Sequence, residues 1–206
     1  MAHQVKEFKL EGKLKGISDS QLQQHRDTLY AGYVSKLNLI EDEIKKASTE
    51  GTNPTYSPLG ELKRQEIFAT NGVFLHEAYF GNLGGKGGEA TGRIGDMIKE
   101  QWGSFEKWLA DFRAAGMAAR GWVVMAYSYN DMKLHNYSMD LHDKGAAWNC
   151  ALLLVLDVYE HAYMIDYGVK RAAYLDAYFQ NIDWDVVNQR VAYVTGGAAS
   201  GSCCKG

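Results

Sequence analysis

The sequence predicts an α+β protein: an N-terminal antiparallel helical hairpin, then an α/β domain with a three-stranded antiparallel sheet. Three observations carry this. Apolar residues recur at helical spacing through two long stretches of the first half. Both prolines of the chain, Pro54 and Pro58, fall between those stretches. After residue 120 the pattern changes to short runs rich in β-branched, aromatic and other apolar residues, separated by turn residues.

The first stretch spans residues 19–48, lacks Pro, and places Leu22, Leu29, Tyr33, Leu37 and Ile40 near a helical period, with Ser18 or Asp19 available to cap its start. Gly51 to Gly60 reads as a turn. Residues 61–82 resume the helical pattern through Ile67, Phe68, Leu75, Ala78 and Tyr79, so His25 and His76 are expected to face each other across a hairpin. Gly81 to Gly95 is glycine-rich. It lacks the Lys-Ser/Thr order of a phosphate loop and follows no strand, which leaves a linker. Residues 94–114 read as one helix, 122–129, 134–141 and 151–156 as strands, and 171–190 as a further helix. The expected units are residues 1–90 (hairpin), 91–195 (α/β) and a flexible Gly/Ala/Ser tail, 196–206.

Composition narrows the function. The chain has 206 residues, 46% hydrophobic and 12% aromatic, enough for a substantial core. With 22 basic and 25 acidic side chains, its net charge of −3 argues against a nucleic-acid partner. No apolar stretch is long enough for a membrane span and the N-terminus has no secretory apolar segment, so a cytoplasmic protein is expected. Cys150 heads an apolar run and reads as a small buried hydrophobe; Cys203 and Cys204 are adjacent in the tail, and nothing resembles a disulfide framework.

Chemistry concentrates in His25, His76, Asp157 and His161. Three imidazoles and a carboxylate suit a redox-active first-row metal. The apolar run Ala151 to Leu156 ends at Asp157, and His161 follows four residues later. A buried strand delivering a carboxylate and then a His is costly without a compensating partner, and a metal is one.

Four blocks of sequence are similar to the iron/manganese superoxide dismutase family. They are His25 with Tyr33-Val34-Ser35-Lys36-Leu37-Asn38; Asn71-Gly72-Val73-Phe74-Leu75-His76-Glu77-Ala78-Tyr79-Phe80; Gly103-Ser104-Phe105 with Gly121-Trp122; and Asp157-Val158-Tyr159-Glu160-His161-Ala162-Tyr163, followed by Tyr174 to Phe179 and Ile182-Asp183-Trp184. The resemblance covers about residues 8 to 192. It implies one iron or manganese ion per subunit held by His25, His76, Asp157 and His161, a water or hydroxide as fifth ligand, and dismutation of superoxide to oxygen and hydrogen peroxide. Another metal-dependent oxidoreductase and a non-catalytic structural relative are the alternatives on the same fold.

The resemblance extends to surrounding residues. Tyr33 matches the family's active-site Tyr and Trp122 an aromatic wall of the site. His142 stands where other members supply a Gln to the metal-bound solvent, while Gly72 occupies the alternative Gln position on the helix. Glu160 and Tyr163 match residues at the family's dimer interface, implying a homodimer or tetramer. Lys170 and Arg171 match a basic pair that helps draw in the anion. Leu29 departs from the pattern, replacing a channel His, and Phe80 and Tyr159 each replace a Trp. Glu77, His3 and His135 are expected at the surface.

Overall fold

The computed structural model describes residues 2–145 and 147–196. The tail beyond Gly196, with Cys203 and Cys204, lies outside the described residues.

The first helical stretch is helical as expected, but in three parts. Ser18 caps α1 (Asp19–Gln23) by accepting from the Gln21 amide, Gln24–Tyr30 forms a wider π-helical turn, and α2 (Ala31–Lys46) continues from it. Such turns recur at functional sites, and this one carries His25. Ser57 caps α3 (Pro58–Gly81), with Pro58 at the first helical position, where its missing N–H costs nothing. α2 packs against α3. The strap Ala2 to Leu10 runs alongside: His3 bonds Asn38 and Glu41, and Lys6 pairs with Glu77 at 2.6 Å. Glu77 also accepts from the Tyr30 hydroxyl at 2.9 Å and is only 11% exposed, so it is a half-buried tie rather than a surface acid.

The expected helix 94–114 is two helices. α4 (Gly92–Trp102) stops at Gly103, whose φ of 83° is left-handed, and Ser104 caps α5 (Phe105–Ala118). The expected helix 171–190 likewise divides into α7 (Arg171–Phe179) and α8 (Trp184–Val194), the latter capped by Asp183. A short α6 (Met164–Tyr167) precedes them.

The sheet has the order β2-β1-β3, antiparallel throughout, from β1 (Trp122–Ser128), β2 (Lys133–Met139) and β3 (Cys150–Asp157). β1 is buried along its whole length, which explains its continuous apolar run. α5 packs on β1 and β2, and α3 and α8 on β3. Both outer strands are plugged by a side-chain amide that imitates a missing strand. Gln101 accepts from the Leu134 N–H and donates to its carbonyl; Asn82 does the same for Val155. Tyr178 shares the Val155 carbonyl with Asn82, and Arg190 and Tyr174 donate to the Leu153 and Asp157 carbonyls. These contacts blunt the two edges.

The glycine-rich stretch is a packed connection. A Cβ at Gly85 would stand 2.3 Å from the Ile182 carbonyl oxygen, and one at Gly87 2.5 Å from that of Phe179. Only glycine allows the backbones to meet so closely. Among the described residues, no helix is long and apolar enough to cross a membrane.

Candidate metal centre

The four residues proposed as ligands converge. His25 sits in the π-helical turn, His76 on α3, Asp157 at the last position of β3, and His161 in the single helical turn that follows it. One donor atom from each lies within 4.8 Å of all the others. Asp157 Oδ2 is the focus, with His25 Nε2 at 3.0 Å, His161 Nε2 at 3.1 Å and His76 Nε2 at 3.7 Å. The His25 and His76 rings meet edge to face at 5.1 Å, as the hairpin predicts.

These donors fit a cation. The His76 Nδ1–H donates to the Gly72 carbonyl at 2.6 Å, so the neutral ring presents a bare lone pair at Nε2. That nitrogen is buried without a hydrogen-bond partner and points at a carboxylate oxygen. A lone pair facing an anion is unfavourable, and a metal ion between them reverses the sign. Three neutral imidazoles with one carboxylate form a donor set for a first-row transition metal.

Electrostatics agree. Burial, reinforced by neighbouring His25, lowers the His76 pKa to about 3, and burial also holds His25 below its ordinary value. Burial would raise Asp157, but the His161 and His25 contacts outweigh it and keep the carboxyl ionised well below the usual range. His161 is raised despite its burial, because of Asp157. At neutral pH the site thus holds a carboxylate beside an unprotonated His76, the state a metal requires.

Second contacts hold the ligands. Asp157 Oδ1 accepts from the Tyr159 N–H at 2.9 Å, and the Asp157 carbonyl accepts from the Tyr174 hydroxyl at 2.8 Å. Gln21 is buried; its amide donates to the His161 carbonyl at 2.6 Å and its Oε1 accepts from the Ile165 N–H at 3.1 Å. Gln21 was not among the sequence candidates, although it lies four residues before His25 on the same helical side. Tyr174 appears in a matched block, yet its hydroxyl's hold on Asp157 has no linear signal.

Trp122 pairs with Asp157 across the sheet and so stands beside the ligand. Its Nε1–H donates to His142 Nδ1 at 2.9 Å, and His142 Nε2 lies 2.7 Å from the Tyr33 hydroxyl. Indole nitrogen only donates, so Nδ1 accepts and neutral His142 carries its proton on Nε2, donating to Tyr33. The sequence suggests His142 as a donor to metal-bound solvent; in the structure its Nε2 also lies within hydrogen-bond distance of the Tyr33 hydroxyl. Burial lowers His142 to about 4 and raises Tyr33, the latter reinforced by Asp157. Tyr33 stacks on His76 with ring centres 5.4 Å apart and borders a groove of about 490 Å³ lined by Leu29, Lys36 and Phe68.

The remaining candidates lie further out. Glu160 is exposed, and Met164 and Ile165 after it are exposed apolar residues at 43% and 54%. Tyr163 is buried and accepts from Arg171 Nε at 3.2 Å. Arg171 also donates to the Met117 and Ala119 carbonyls at the end of α5. Its guanidinium therefore anchors α7 to α5. Tyr159 donates to the Asp140 carbonyl at 3.4 Å, which satisfies the hydroxyl that replaces a Trp.

Comparison with known proteins matches this geometry. Residues 90–190 match the family model of the iron/manganese superoxide dismutases, C-terminal domain. The chain is 40% identical over 182 residues to the superoxide dismutase (Fe) of Aquifex pyrophilus, covering 86% of this chain and 85% of that protein. It is 40% identical over 183 residues to the superoxide dismutase (Fe) of Cupriavidus metallidurans, covering 87% and 91%. The superoxide dismutase (Mn) 1 of Halobacterium salinarum is 36% identical over 176 residues, covering 84% and 86%. With such likeness along most of its length, and a His/Asp cluster suited to their metals, this chain belongs to the iron/manganese superoxide dismutase family.

Proposed function

We propose that this protein dismutates superoxide, two superoxide anions and two protons giving one dioxygen and one hydrogen peroxide. The observation that carries the reading is the convergence of His25, His76 and His161 on Asp157, with the buried His76 Nε2 left without a partner. Each subunit holds one iron or manganese ion through these four side chains; relatives named for either metal leave both open. The bound ion supplies one-electron oxidation and reduction of superoxide.

The chain's own residues handle the anion and its protons. Trp122 fixes the His142 tautomer, His142 Nε2–H donates to the Tyr33 oxygen, and the Tyr33 O–H is left free to donate toward the substrate side. Burial and Asp157 raise the Tyr33 pKa, so the proton stays on its hydroxyl at neutral pH. Leu29, where the resemblance expects a His, gives the groove an apolar wall and no second proton carrier.

The same proposal covers assembly and place. Residues 1–90 and 91–195 form two units that share the ion. The exposed Glu160, Met164 and Ile165 beside His161 suit a homodimer or tetramer interface, and the site of action is the cytoplasm. Elemental analysis of the purified protein with a superoxide-consumption assay tests the function. Near-stoichiometric iron or manganese with rapid consumption is expected. Metal without consumption would favour another oxidoreductase, and absence of metal a structural relative.

A further inference from the structure

The Asn71-Gly72 step of α3 touches three residues of the centre at once. The Gly72 carbonyl accepts the His76 Nδ1–H. The missing side chain of Gly72 makes room for Tyr33, whose Cδ1 would lie 2.7 Å from a Cβ there. The Asn71 Nδ2–H donates to the main-chain carbonyl of His142 at 2.7 Å. His142 itself lies in the turn after β2, closed by the Asp140 N–H to the Lys144 carbonyl at 3.1 Å. Nothing else among the described side chains ties the main chain of His142 to the hairpin.

We infer that Asn71 is a positioning residue for the proposed proton-handling pair. It fastens the turn carrying His142 to the helix carrying His76, so that Trp122 and Tyr33 each meet their nitrogen of the His142 ring. The inference rests on the role proposed for His142 and Tyr33 and adds a residue outside that pair. An amide suits the task because it donates to the carbonyl without adding charge beside Asp157. The consequence of losing it is local: the ring shifts, its two hydrogen bonds lengthen together, and the metal ligands stay in place.

Asn71→Asp tests this, since it keeps the shape and removes the donor; Asn71→Ala is the second variant. Both are expected to keep full metal content and to lose about tenfold in kcat/KM, the scale of a small misplacement near the chemistry. Crystal structures of the metal-loaded variants should show the Trp122–His142 and His142–Tyr33 separations, now 2.9 and 2.7 Å, opened beyond hydrogen-bond length. In a His142→Ala background, either Asn71 change should have no further effect on kcat/KM. Wild-type kcat/KM and unmoved rings in Asn71→Asp would overturn the inference, as would an undiminished loss in the His142→Ala background. If His142→Ala alone leaves kcat/KM unchanged, the role of His142 fails rather than that of Asn71.

Discussion

At the scale of single residues, the centre depends on which atoms lack alternatives. His76 Nε2 has no partner, and Asp157 Oδ2 faces three imidazoles. His161→Ala removes one of them and is expected to abolish metal retention and activity together; stoichiometric metal in the purified variant would refute its place as a ligand. His142 behaves differently, because its hydrogen bonds run to Trp122 and Tyr33. His142→Ala should lower turnover while metal remains. Its burial also makes a pH prediction. Folded His142 has a pKa of about 4, whereas an unfolded His titrates near 6.5. Between those values the unfolded chain binds a proton that the folded chain does not, so stability falls as pH drops through that window. In metal-free protein, the stability difference between wild type and His142→Gln should shift against wild type by about 2 kcal/mol from pH 7 to 4.5. Urea unfolding at both pH values checks this, and parallel changes in the two proteins would contradict it.

At the scale of elements, the sheet edges are the most exposed point of the design. Val155 directs its N–H and carbonyl at Asn82, which is fully buried. Asn82→Ala leaves the Val155 N–H unsatisfied beside a small cavity, while Tyr178 still serves the carbonyl, and should cost about 3 kcal/mol, measured by denaturant unfolding. A change below about 1 kcal/mol would mean that water or a neighbour replaces the amide. The elements also mark how far the sequence could be read. The hairpin and the strands were legible because apolar periodicity and the two prolines are local signals. The break at Gly103 was not read, although Gly103-Ser104 is a stop followed by a cap, because apolar residues continue on both sides. The break before Asp183 was missed for the same reason. The π-helical turn around His25 has no clear compositional mark. Among site residues, the four proposed ligands stood out by spacing and resemblance, while Gln21 and Asn71 act on main-chain carbonyls more than 70 residues away in sequence. Such contacts exist only once the chain has folded.

At the scale of the whole molecule, the centre joins distant parts of the chain. His25 and His76 come from the hairpin, and Asp157 and His161 from the end of the sheet. Binding is therefore linked to folding. Removing the metal with a chelator should lower the unfolding temperature by about 10 °C or more, read by calorimetry, and restoring iron or manganese should recover it. An unchanged melting temperature would show that contacts such as Gln21 to His161 hold the halves by themselves.

The long interval between His25 and Asp157 also sets a clock on biosynthesis. The two are 132 positions apart, so a ribosome adding 5–20 residues per second completes the second roughly 7 to 26 seconds after the first. Until then, of the four ligands of the centre, a nascent chain offers an ion only His25 and His76. Loading through all four side chains must wait until most of the polypeptide has emerged.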